Sequence, residues 1–192
     1  MNVSISIIYD TKKCVKIGEK MNKTKEIVLS GLLLASGIIL PMIFHMFSLT
    51  GPIALPMHIP VLIGGFLLSP PLALLLGITT PIISGLLTGM PVMFPMAIIM
   101  ALELGIYGLT ASLAARKFKL SIFPALIISM IAGRIAAGLT VALLVQLFGL
   151  KMNPLIFIQG AIITGIPGII IQLIFIPALI HAIKSYFQMK SA

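Results

Sequence analysis

The sequence has few charged side chains for its length. Of its 192 residues, 9% are charged and 59% are hydrophobic, whereas an ordinary soluble domain has about 25% charged residues. So few polar side chains cannot cover the surface of a water-soluble domain of this size. With a mean hydropathy of +1.21, the composition predicts a chain that lies in a lipid bilayer.

Cysteine and the common catalytic motifs are also scarce. The single cysteine, Cys14, excludes an intramolecular disulfide, and the three histidines form no Cys/His cluster of the kind that binds zinc or iron–sulfur centres. The nucleotide-binding patterns G-x-x-x-x-G-K-[ST] and G-x-G-x-x-G are missing, as are the hydrolase patterns G-x-S-x-G and H-E-x-x-H. We therefore expect a chain that is not an enzyme and that needs no metal or cofactor.

Apolar stretches interrupted by Pro, Gly and Asn predict six transmembrane helices, since one span needs about 20 residues. The predicted helices cover residues 26–46, 53–68, 72–88, 92–114, 121–148 and 155–183. The fold class is therefore an all-α, polytopic membrane protein. We assign residues 1–25 to a polar cytoplasmic segment, 26–188 to a single six-helix membrane domain and 189–192 to a C-terminal tail.

Basic residues predict the orientation of this domain. With a cytoplasmic N-terminus, eleven of the thirteen Lys and Arg residues fall on the cytoplasmic side. Lys151 alone lies in an outer loop, and Arg134 lies within a span. Because cytoplasmic loops carry an excess of basic residues, we expect both termini to be cytoplasmic.

Two charged residues, Glu103 and Arg134, fall near the middle of predicted helices 4 and 5. A charge at this depth costs at least about 2.5 to 3.5 kcal/mol, so it indicates a functional role by default. One interpretation is that the two side chains pair and only hold their helices together. The other is that they face a cavity and contact a substrate, and both can hold at once.

Further polar residues gather in the outer half of the predicted helices, which favours a pocket open to the outside over a continuous pore. Met100 and Tyr107 share a face of helix 4 with Glu103 by helical spacing. His58 lies between two prolines, where it either contacts a ligand or satisfies a backbone carbonyl that the prolines leave free. Gln159, near the start of helix 6, has the same two possible roles.

Gly31 and Ala35 form a pair of small residues, four apart, on helix 1. Such pairs allow another helix to approach closely. The approaching helix belongs either to a partner membrane protein or to the same chain.

The order of several motifs resembles a known family. GLLLA on helix 1, HIPVLIGGFLLSP on helix 2, a TGMP turn and ELGIYG on helix 4 are similar to the substrate-binding S component of energy-coupling factor (ECF) transporters, over residues 22–188. The resemblance implies a cell-membrane protein that captures a small water-soluble vitamin or related micronutrient from outside. It then docks on a transmembrane coupling protein and two cytoplasmic ATPase subunits.

The resemblance also implies a site. The family's pocket corresponds to Glu103, Tyr107, Arg134, Gln159 and the loop SLTGP (48–52), and its partner-binding face corresponds to Gly31 and Ala35. Two alternatives stay open: a stand-alone secondary transporter or facilitator in which Glu103 carries a proton, and a structural membrane subunit in which Glu103 and Arg134 only pair.

Overall fold

The computed structural model describes residues 22–46 and 55–189, and all the secondary structure in these ranges is helical. The helices are α1 (Lys23–Met46), α2 (His58–Leu67), α3 (Pro70–Thr88), α4 (Ile98–Arg116), α5 (Ile122–Phe148) and α6 (Pro154–Met189), with a short π-helical segment, Met93–Ala97, before α4. Five helical stretches are long and apolar enough to cross a membrane, and α2 is shorter. The all-α fold is therefore confirmed for the described residues, and the long apolar helices are consistent with a polytopic membrane protein. The SLTGP loop, residues 1–21 and residues 190–192 lie outside the described ranges.

Proline, glycine and asparagine set the helix ends. Helix α3 begins with Pro70 and Pro71, and proline suits the first helical turn because the backbone donors there have no helical partner. Gly89 ends α3 and Gly149 ends α5, with φ of 74° and 65°, a conformation that favours glycine. Asn153 caps α6, since its side-chain oxygen accepts hydrogen bonds from the backbone of Leu155 and Ile156.

Helix α2 is shorter than the sequence predicts. It has ten residues and begins at His58, so it is only about 15 Å long. Leu55 precedes Pro56, a position that disfavours the right-handed helical conformation, and its φ is 47°. Nine of the ten residues of α2 are buried, so protein rather than lipid surrounds this short helix.

Helix α4 begins later than predicted, at Ile98 instead of residue 92. Phe94 interrupts the helical path with φ of −127° and ψ of 129°. This extended conformation is the one favoured immediately before a proline, here Pro95. The chain therefore bends just before it enters the centre of the bundle.

Small residues let α2, α3 and α4 approach closely. A Cβ on Gly77 of α3 would overlap the backbone carbonyl of Leu104, and a Cβ on Gly108 of α4 would overlap that of Ala73. Backbone contacts of this kind are typical of helices packed in membranes. They fix α4, which carries Glu103, at the centre of the bundle.

Polar contacts join four helix ends at one end of the bundle, which we call the Glu26 end. The carboxylate of Glu26 accepts a hydrogen bond from the backbone N–H of Ser69 and lies 4.0 Å from the guanidinium of Arg116. Arg116 also donates to the carbonyl of Leu67 at 2.9 Å. The start of α1, the turn between α2 and α3, and the end of α4 therefore meet there.

We expect Gly77→Ala to destabilise the protein by about 1 to 3 kcal/mol, because the added methyl group overpacks the contact between α3 and α4. The measurement is thermal unfolding of the purified protein in detergent. Gly31→Ala is the matched control, since a Cβ there meets nothing within 4 Å. Equal melting temperatures for the two variants would contradict this account of the packing.

Candidate functional site

A buried polar cluster centres on Glu103, which lies thirteen residues before Arg116 and so about 20 Å from the Glu26 end along α4. Its carboxylate oxygen Oε1 is 2.8 Å from the guanidinium nitrogen Nη1 of Arg134 on α5. The hydroxyl of Tyr107 donates to the same oxygen at 3.1 Å. His58 Nε2 lies 3.8 Å from it, beyond hydrogen-bond distance. Three helices thus contribute to one cluster.

Local sequence explains this convergence. Tyr107 follows Glu103 by four residues, so both side chains lie on the same face of α4. Gly133 precedes Arg134, and the Tyr107 ring occupies the space that a side chain at residue 133 would fill. On α6, a Cβ on Gly165 would come within 3.4 Å of the Arg134 guanidinium. Gly133 on α5 therefore makes room for the aromatic ring, and Gly165 brings the backbone of α6 close to the guanidinium.

Several buried atoms of the cluster lack a hydrogen-bond partner among the described residues. They are both ring nitrogens of His58 and the Nε and Nη2 atoms of Arg134. Buried donors and acceptors without partners are costly and rare in native proteins. These atoms therefore make this cluster the candidate binding site among the described residues.

A cavity of about 570 Å³ lies beside the cluster, away from the Glu26 end. Its polar lining residues within the described ranges are His58, Glu103, Arg134 and Thr164. The rest of the lining is apolar and rich in proline and methionine: Pro41, Leu55, Pro56, Met57, Met90, Pro91, Val92, Met96, Met100, Ile156, Phe157, Gly160 and Ala161. The volume suits a small organic molecule.

The loop after α3 is held against this cavity by side-chain hydrogen bonds. Ser84 donates to the carbonyl of Met90 at 2.7 Å, and Thr88 donates to the same carbonyl at 3.1 Å. These bonds keep Met90, Pro91 and Val92 in the cavity wall. The loop is therefore part of the site rather than only a connection.

The residues predicted from the sequence separate into three groups. Glu103, Arg134, His58 and Met100 line the cavity. Tyr107 is buried and its hydroxyl contacts Glu103, but Tyr107 does not line the cavity. Gln159 is exposed and is not among the lining residues.

Helix 6 was predicted to contribute to the site through Gln159, but other residues of α6 line the cavity. Phe157, Gly160, Ala161 and Thr164 all line the cavity. Their spacing places them on one face of a helix. This periodic pattern was available in the sequence, but the apolar residues on the other faces of α6 obscure it.

A second, apolar groove of about 390 Å³ lies between α5 and α6. Arg134 lines both this groove and the cavity, while Tyr107 lines only the groove. Arg134 therefore lies at the boundary between the two spaces.

We expect Glu103→Leu and Arg134→Met each to destabilise the protein by about 3 to 5 kcal/mol, because each leaves an unpaired buried charge. The double variant should lose much less than the sum of the two. Tyr107→Phe is a milder comparison that removes one hydrogen bond, worth about 1 kcal/mol. Unfolding in detergent measures all four, and additive losses would show that Glu103 and Arg134 do not interact.

The family model described as "ECF transporter, substrate-specific component" matches residues 25–180. No curated protein and no solved structure matches the chain.

Proposed function

Because this chain belongs to the family of ECF transporter substrate-specific components, we propose that it captures a small water-soluble vitamin or related micronutrient from outside the cell. Members of the family are transporter components that bind a small molecule and work with the ECF module in the membrane. The observation that carries the proposal is the cavity of about 570 Å³ beside buried polar atoms without partners.

The distribution of basic residues indicates to which side of the membrane the cavity opens. Basic residues flank the Glu26 end, namely Lys23, Lys25, Arg116, Lys117 and Lys119. Lys151 is the only basic residue in the described loops at the other end. The excess of basic residues on cytoplasmic loops supports a cavity that opens to the outside of the plasma membrane.

The positions of the helix ends support a count of six spans. Helix α1 starts at the Glu26 end, and α3 starts there again after the turn that contains Ser69. Between them, α2 runs toward the Glu26 end and finishes there at Leu67. We count α2 as a span, which makes the number of crossings even and agrees with two cytoplasmic termini.

Each polar residue then has a role in binding. Arg134 uses one nitrogen to pair with Glu103 and keeps Nε and Nη2 for the ligand. His58 offers its two ring nitrogens. Tyr107 positions the Glu103 carboxylate, and Met100 supplies an adaptable apolar wall. Gln159, exposed near the start of α6, would take part only as a residue outside the cavity.

Helix α1 offers a surface for the ECF partners. Ile27, Gly31, Ala35 and Ile39 are exposed and spaced by four residues, so they form one stripe. Among the described residues, a Cβ on Gly31 would meet nothing within 4 Å, whereas a Cβ on Gly37 would overlap Thr80 on α3. This contrast supports the proposal that Gly31 and Ala35 receive the transmembrane coupling protein, which works with two cytoplasmic ATPases.

The other two candidate functions have less support. A stand-alone transporter with Glu103 as proton carrier would have to break the 2.8 Å contact with Arg134 in every cycle. A purely structural subunit gives no reason for the cavity beside the pair.

We expect Arg134→Ala to weaken ligand binding by at least about 1.5 kcal/mol, roughly tenfold, because a charged donor is lost. Mass spectrometry of molecules retained by the purified protein identifies the ligand, and equilibrium titration measures its affinity. Gln146→Ala is the control, since Gln146 is exposed on the same helix and does not line the cavity. Unchanged affinity in Arg134→Ala would remove Arg134 from the binding site.

We expect Gly31→Leu to keep ligand affinity and to abolish uptake in cells, because a bulky side chain obstructs close helix approach. Ala182→Leu is the matched control, an exposed small residue on α6. Both variants are compared for ligand titration, ATP-dependent uptake and co-purification with the ECF module. Normal uptake by Gly31→Leu would show that this face does not dock.

A further inference from the structure

The charges that line the cavity sum to zero. Among the described lining residues, Glu103 and Arg134 are the charged side chains, and they lie 2.8 Å apart. His58 adds no charge when it is neutral. An anion bound to Arg134 would also lie beside the Glu103 carboxylate, and a cation bound to Glu103 would lie beside the guanidinium. The pair therefore disfavours ligands with net charge of either sign.

The atoms left for a ligand are mostly donors. Arg134 presents Nε–H and Nη2–H without partners. His58 presents two ring nitrogens without partners, and a neutral imidazole offers one donor and one acceptor. A complementary ligand consequently has more acceptors than donors, such as carbonyl oxygens and unprotonated ring nitrogens.

The rest of the described cavity lining offers few partners for hydroxyl groups. Thr164 is the other polar side chain in the described lining, and its hydroxyl already donates to the carbonyl of Gly160 at 2.8 Å. Prolines and methionines cover most of the rest. Sugar-like hydroxyls would lie unpaired against them, whereas an aromatic ring packs well against methionine sulfur.

From these three observations we infer that the ligand is a neutral heteroaromatic compound, rich in acceptors and poor in hydroxyl groups. This inference rests on the proposed function and narrows its substrate class. It excludes phosphorylated, carboxylated and polyhydroxylated micronutrients as the preferred cargo.

The test uses the full chain in lipid nanodiscs and two probes. A small-molecule extract of rich growth medium is separated by anion exchange at neutral pH into an unretained and an anionic fraction. Each fraction is incubated with the protein, and the molecules that survive washing are released by denaturation and identified by mass spectrometry. Binding should come from the unretained fraction, and the bound compound should be uncharged, aromatic in its ultraviolet spectrum and nearly free of acetylatable hydroxyls.

The possible results distinguish a failure of the ligand-class inference from a failure of the proposed function. A retained anion or polyhydroxylated compound overturns the inference and leaves substrate capture intact. Retention of nothing from either fraction by folded protein contradicts both.

A second measurement tests the charge argument directly. Glu103→Gln keeps the shape of the side chain and gives the lining a net positive charge. We expect its retention of the anionic fraction, relative to the unretained one, to rise at least about tenfold over the native protein. No such rise would show that the Glu103 carboxylate does not reject anions, and the inference would fail. Gel filtration reports whether Glu103→Gln is folded. If this variant is unfolded, the binding of the two fractions by the native protein decides whether the inference holds.

Discussion

The contact between Glu103 and Arg134 is the interaction on which the arrangement of this bundle depends. Two opposite charges in an apolar chain are tolerable at mid-depth only when they meet, so α4 and α5 must place them at the same level. The 2.8 Å contact satisfies this requirement. Gly133 then becomes necessary, because the Tyr107 ring fills the space that a larger side chain would take.

The contact between Glu103 and Arg134 also orients the guanidinium donors that we propose bind a ligand. Glu103 fixes only one nitrogen of Arg134, so the guanidinium is held in place while its other donors keep no partner among the described residues. The short helix α2 adds His58 at this depth, because α2 begins there and runs only to the Glu26 end. The late start of α2 places His58 at the cavity, where it joins Glu103 and Arg134 as a polar lining residue.

Local signals allowed the helices and the central charges to be predicted from the sequence, and long-range contacts account for what was missed. Hydropathy and proline positions mark helix limits locally, so α5 and α6 begin within one residue of the prediction. The energetic cost of an intramembrane charge identified Glu103 and Arg134. The pairing of Glu26 with Ser69 and Arg116 joins segments far apart in sequence, and no periodic pattern indicates it. Burial of the short α2 is likewise a property of its neighbours.

Helix α1 contributes both to the cavity and to the proposed docking face. Pro41 lines the cavity, and Gly31 lies ten residues earlier on the exposed stripe, about 15 Å away along the helix. Few residues of α1 are buried, and the Glu26 carboxylate near its start accepts a hydrogen bond from Ser69. Under the proposed function, a ligand in contact with Pro41 acts on a lightly packed helix that is attached at its opposite end. The shortest physical path from the cavity to the proposed docking face then runs along this one helix, without passing through the tightly packed α3 and α4.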